Sequence, residues 1–189
     1  MTGYFSEKTF ENQDYTLQPL PPAEYEACHF KHCHFSHADL GKYNFIDCTF
    51  QECDCSNAQL RQTTIRDVEF RNCKMLGLHF DQCNDFLFSA RFQKCTLSFS
   101  SFYKLRLKGL FFDDCTLHEV DFAACDLSGA VFAHCDLKNA IFDRTILEKA
   151  DFSTAFNYTI DPENNKLKKT RFSTDGIAGL LGKYDIIIN

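Results

Sequence analysis

CTLHE VDFAA CDLSG AVFAH CDL, residues 115–137, is the stretch that decides the fold. A large apolar residue recurs at every fifth position: Leu117, Phe122, Leu127, Phe132 and Leu137. Two residues before each stands a compact, buriable one: Cys115, Val120, Cys125, Ala130 and Cys135. An α-helix repeats every 3.6 residues and a strand every 2, so a strict period of five belongs to neither. It belongs to a chain that turns a corner after each short extended segment. Two side chains of every five then point inward, and three face water.

The period extends in both directions. Towards the C-terminus it reaches Phe152, and towards the N-terminus it reaches Leu87. There the frame slips by two residues, and it resumes from Phe80 back to Phe30 with every centre apolar. The inward partners include Cys28, Cys33, Cys48, Cys53, Cys73 and Cys95, so nine of the eleven cysteines fall at this one position. The repeat therefore explains an unusual composition of 21 Phe, 11 Cys and no Trp.

A chain of 189 residues is one domain long and can bury a core. A net charge of −6 disfavours direct nucleic-acid binding, which calls for a basic stripe. No apolar run approaches a membrane span. The opening MTGYFSEKTFENQDY lacks the basic and apolar blocks of a signal peptide, so a cytoplasmic, reducing location is expected. The cysteines are then thiols, and an odd number cannot all pair within one chain.

Cys125-Asp126-Leu127-Ser128-Gly129 and Ala150-Asp151-Phe152-Ser153-Thr154 resemble the A/C-D/N-L/F-x-x unit of the pentapeptide-repeat family, over residues ~25 to 155. The resemblance implies an all-β fold, a right-handed quadrilateral parallel β-helix with four repeats per coil. A period of twenty should follow, and it does. Phe92, Phe112, Phe132 and Phe152 form one column and Phe102, Phe122 and Phe142 another, with leucines on the other two walls. The expected organisation is a cap over 1–24, coils over 25–155 with a frame break at 81–86, and a last partial coil, helix and tail over 156–189. The cap holds the frame loosely (Phe5, Phe10, Tyr15, Leu20), and Pro21 and Pro22 cannot donate ladder bonds.

At the C-terminal end Asp161-Pro162-Glu163 reads as a helix start. Ser173 or Thr174 can cap a short helix through Lys183, with Ile177, Leu180, Leu181 and Tyr184 on one face. Asp185 to Asn189 reads as an apolar strand. This apolar end packs on the last coil alone or forms a two-fold dimer; relatives dimerise in this way. The implied interface is Ile177, Leu180, Leu181, Tyr184, Ile186 and Ile188.

Cys28, His29, His32, Cys33, His34 and His37 look like a metal site. The frame places the cysteines inward and the histidines outward, so they do not converge on one ion. No catalytic residues and no cofactor are expected, because Ser, His and Asp are scattered along flat walls and no phosphate or dinucleotide loop is present. Between Leu110 and Leu137 stand Asp113, Asp114, Glu119, Asp121, Asp126 and Asp136, with no Lys or Arg. They either bond the turn backbone or form an acidic wall for a basic partner. Asp85, Phe86 and Phe88 at the frame break are candidate contacts.

The chain is most similar in character to the Qnr/McbG-type branch of the family. Cys73-Lys74-Met75-Leu76-Gly77-Leu78-His79-Phe80 and the tail from Ile160 carry that likeness. It implies a DNA-mimicking, non-enzymatic dimer that binds type II topoisomerase (gyrase or topoisomerase IV) and protects it from quinolones or peptide toxins. Of the two long projecting loops of the Qnr proteins, the second, at the frame break, is reduced here to two extra residues, and the first is absent. The alternative is a scaffolding repeat protein with another protein partner. A continuous negative column on the rod would favour the first reading, and evenly mixed charge the second.

Overall fold

The computed structural model describes residues 3–86, 88–184 and 186–187. The chain winds into a parallel β-solenoid of about eight turns. Each coil has four faces, numbered here in chain order. Face 1 carries the four-stranded sheet of Gly3–Ser6, Ala23–Glu26, Asn44–Ile46 and Thr64–Arg66. It continues through the rungs Arg106, Asp126, Ile146 and Lys166. Face 2 carries a nine-stranded parallel sheet running from Thr9–Glu11 to Arg171–Phe172. Face 3 runs as single rungs from Asp14 to Phe156, and face 4 through His79, Ser101, Asp121 and Ile141.

The corners explain why five residues suffice per side. The second residue after most centres has φ between 50° and 71°, the left-handed region. Beside Leu127 the turn is closed by the Ala130 N–H on the Leu127 carbonyl at 3.0 Å. The N–H of Gly129 (φ 71°) is thereby aimed along the rod at the Glu148 carbonyl, 2.8 Å away. Asp121, Asp126 and Asp136 each accept a hydrogen bond from the N–H two residues on, at Ala123, Ser128 and Lys138. That is the Asx contribution to turns.

The core is a set of columns. Phe10, Phe30, Phe50, Phe70, Phe92, Phe112, Phe132, Phe152 and Phe172 form one unbroken stack on face 2. Opposite it, Phe80, Phe102, Phe122 and Phe142 stack on face 4. The two stacks meet edge to face, as at Phe112 and Phe122, 6.0 Å apart at 74°, a favourable arrangement of ring quadrupoles. The inward position of face 3 is a ladder of six buried thiols: Cys33, Cys53, Cys73, Cys95, Cys115 and Cys135.

Those cysteines are more than filler. Cys53 and Cys73 donate to the carbonyls of Phe30 and Phe50 in the coil before, both at 3.4 Å. Thr63 and Thr145 use their hydroxyls in the same way on Leu40 and Phe122. The inward small residue thus ties neighbouring coils together while fitting beside the rings. Burial pushes the Cys48 and Cys125 thiols up to about 12. They stay protonated donors and poor nucleophiles.

The frame slip is absorbed on face 1. Gln62 bonds Gln82, twenty residues on, whereas Asp67 bonds Ser89, twenty-two on. Every column on the other faces crosses the break intact: Phe70 stacks on Phe92 at 5.3 Å and 6°. Leu87, the expected first centre of the second frame, lies outside the described residues.

Both ends depart from expectation. Residues 3–11 hydrogen-bond into both sheets as a further coil, with Phe5 stacked on Tyr25 and Phe10 on Phe30. At the other end no α-helix spans 174–183. Two 3₁₀ turns, Ile177–Leu180 and Gly182–Tyr184, stand there instead. The reason is Gly176, Gly179 and Gly182, spaced by three. A 3₁₀ helix has three residues per turn, so one face of the segment is bare backbone. That face lies on Tyr158 and Thr159, where an added Cβ would meet atoms at 1.9, 2.2 and 3.1 Å. Asp161-Pro162-Glu163 likewise forms a turn, with Asp161 accepting from the Glu163 N–H at 2.9 Å, rather than a helix start. Ile186 and Ile187 are in no strand; Asp185, Ile188 and Asn189 lie outside the described residues.

Candidate interaction surfaces

The six acidic candidates do not share a wall. Asp113 sits on face 2 and Asp114 at its corner; Asp136 is on face 3 and Glu119 at the corner after it; Asp121 is on face 4 and Asp126 on face 1. A coil takes twenty residues, so a window of twenty-four must wrap past every face. Three of the six also have a basic side chain beside them. Asp126 faces Lys108 at 3.3 Å, Asp136 faces His118 at 2.8 Å, and Asp113 faces His134 at 3.5 Å. Faces 2 and 4 carry both signs throughout, as in the pairs Arg71–Glu69, Arg171–Asp151 and Arg144–Asp143.

These carboxylates act between coils. Burial alone would raise Asp136 and Asp126. Hydrogen bonds from His118 and Asn157 to the first, and from Ser128 and Lys108 to the second, hold both below the usual 3.8. Ser153 and then Arg171 lower Asp151. A depressed folded pKa adds stability that is complete above the unfolded value and disappears as pH falls through the folded one. The thermal midpoint should therefore hold steady down to about pH 5 and fall once the pH drops below 3.8. Melts across that range check it, and a decline already complete near neutrality would contradict it.

The histidines His29, His32, His34 and His37 are exposed, while Cys28 and Cys33 are buried beneath them. No group of metal-ligating residues converges among the described residues. No described helix is long and apolar enough to cross a membrane.

The frame break does project. Asp85 is exposed and Phe86 is 72% exposed, its N–H held by Asn84 Oδ1 at 3.1 Å. Phe88 turns the other way and packs edge-on against Phe80 at 6.1 Å. The break thus sets one exposed ring, Phe86, close in sequence to one packed on the core, Phe88. At the C-terminal end Leu180 packs on the core and Leu181 is half-buried, while Ile177, Tyr184 and Ile186 stay exposed. Lys183 fastens this end by pairing with Asp161 at 2.8 Å and Glu163 at 2.6 Å.

One surface was legible only in part from the sequence, where Lys166, Lys168, Lys169 and Arg171 read as a solvated face. Arg106, Lys108, Lys149, Lys166, Lys168 and Lys169 all lie on face 1 or its following corner. Reading the outward positions at the period of twenty would have collected them.

The geometry described above is a parallel solenoid built from five-residue sides. Signatures of the pentapeptide repeat region and of pentapeptide repeats match residues 23–102 and 115–153, and the chain belongs to the pentapeptide-repeat family. No curated protein matches it by sequence. Among solved structures it is similar to a trypsin-treated variant of QnrB1, a plasmid-mediated fluoroquinolone resistance protein. The identity is 20% over all of both chains, with a TM-score of 0.53. It is also similar to HetL of the cyanobacterium Nostoc sp. strain PCC 7120, a pentapeptide-repeat protein involved in heterocyst differentiation regulation. That identity is 16% over 90% of this chain and 86% of HetL, with a TM-score of 0.57. At such identities the likeness is one of fold.

Proposed function

We propose that this chain is a non-enzymatic protein-binding rod that works in the cytoplasm. The observation that carries the reading is Phe86: a large ring, 72% exposed, its N–H held by Asn84 Oδ1 at 3.1 Å. An exposed aromatic ring on a solenoid scaffold makes a natural interface anchor. The charge pattern supports the scaffolding alternative over DNA mimicry by one acidic wall, because the six carboxylates are spread around the rod. A photo-crosslinking amino acid at position 86 should yield a discrete protein adduct in cells, and the same group at position 29 on face 2 should not. Equal or absent adducts would refute the reading.

A second reading keeps the topoisomerase partner. Its support is the likeness of fold to QnrB1 over the full length of both chains. Titrating the protein into gyrase supercoiling, with and without a quinolone, should then show inhibition or protection that weakens in Phe86→Ser. No effect at large excess over enzyme removes this partner and leaves the rod with another.

A further inference from the structure

Face 1 is divided into two halves of opposite charge. Four rungs precede the frame break, at Tyr4, Glu24, Asn44 and Thr64, and four follow it, at Arg106, Asp126, Ile146 and Lys166. Glu7, Glu24, Glu26 and Asp47 make the first half acidic, against the single base Arg66. Arg106, Lys149, Lys166, Lys168 and Lys169 make the second half basic. Its acids are Glu148 and Asp126, the latter held by Lys108 at 3.3 Å. Among the described residues none of those five bases forms an ion pair. Phe86 stands at the midpoint, with four rungs on either side.

Taken half against half, this pattern is complementary under one operation, a two-fold axis through the break. Two rods laid face to face and antiparallel bring the rung of Lys166 opposite that of Tyr4 and Glu7, and the rung of Lys149 opposite that of Glu24 and Glu26; the match lies in these outer rungs, since Asp126 falls opposite Asn44 and Asp47, and Arg106 opposite Thr64 and Arg66. The two Phe86 rings meet on the axis. An apolar centre with a charged periphery is the usual anatomy of an interface, and a two-fold contact must use one patch on both partners. A parallel pairing would set acid on acid and base on base. An acidic foreign partner would leave the acidic half opposed by nothing.

We propose that the partner of this face is a second copy of the chain, bound antiparallel about the frame break. The inference rests on the reading of Phe86 as a binding residue and names what it binds. It differs from a dimer through the C-terminal end, which would leave face 1 open.

The test is sedimentation velocity of the full chain over a concentration series at low and high salt. The wild type should dimerise, and the dimer should weaken with salt because its outer charges are screened. Glu7→Lys with Glu24→Lys should raise the dissociation constant roughly tenfold or more, as should Lys149→Glu with Lys166→Glu, because like charges then face each other. Mixing the two variants should restore a dimer. Phe86→Ser should weaken the wild-type dimer without altering its thermal midpoint. A monomer at every concentration overturns the proposal, as does a dimer indifferent to all four charge changes. A dimer lost instead on truncation after Thr174 places the interface at the C-terminal end and also overturns it. The crosslink at position 86 separates the two levels of the argument. An adduct with a different protein leaves the binding rod standing and removes self-association, whereas no adduct removes both.

Discussion

Phe112→Ala is expected to lower the free energy of unfolding by about 3–5 kcal/mol, at the upper end for a core truncation. Phe112 is fully buried. Its ring lies between Phe92 at 5.0 Å and Phe132 at 5.3 Å, and meets the edges of Phe102 and Phe122, both at 6.0 Å. Deleting it leaves a void walled by four rings. Each of those rings is fixed to its own coil by ladder bonds on both sides, so the walls cannot close in, and the cavity cost adds to the lost burial. A solenoid also contacts itself only between neighbours, so a weakened central coil loosens both halves. Phe172, at the end of the same column, is half-buried and stacks on Phe152 at 5.5 Å. Phe172→Ala should cost only about 1–2 kcal/mol, since part of that ring already faces water. Denaturant unfolding of both variants measures the contrast. Equal losses would mean that the continuous phenylalanine stack does not hold the rod together.

That stack shows where the sequence could be read and where it could not. The period of five is written locally, because every side of the coil must supply one large and one small inward residue. Phe112, Cys115, Leu117 and Val120 could therefore be placed inside from spacing alone. The continuity from Phe70 to Phe92 and from Cys73 to Cys95 is not local. It depends on which face absorbs two extra residues, and only the fold puts them on face 1. Charge misled for a related reason. Density along the chain left a wall at Asp113, Asp114, Glu119, Asp121, Asp126 and Asp136 open beside turn bonding, yet neighbours in sequence face different ways on a rod that turns every twenty residues. The real blocks of charge lie on face 1, among residues twenty apart. The terminal helix failed through an ambiguity of spacing. Ile177, Leu180, Leu181 and Tyr184 suit a period of 3.6, but Gly176, Gly179 and Gly182 suit a period of three, and close backbone packing on Tyr158 decided between them.

Gly179→Ala tests that packing and carries the second large effect. A Cβ at this position would stand 2.2 Å from the Tyr158 carbonyl oxygen and 2.9 Å from its Cδ2. The first of these is backbone, fixed in the coil, so the 3₁₀ segment must move away. Movement breaks the bond from the Ile160 N–H to the Gly179 carbonyl, 2.9 Å long, and lifts Leu180 from the core edge. It also uncovers Tyr158 and Ile160, which are now buried. Overpacking of this kind costs about 1–3 kcal/mol, and the newly exposed apolar end adds to it. Gly182→Ala is the control, because its Cβ would meet only the Thr159 methyl at 3.1 Å, and a side chain can give way. Hydrogen exchange should show protection lost around residues 158–181 in Gly179→Ala, with the ladder near Phe112 unchanged. Protection retained at 158–181 would mean that the glycine face does not seat the C-terminal segment on the rod. Uniform loss would mean that this segment closes the whole solenoid, contrary to contacts that run only between neighbouring coils.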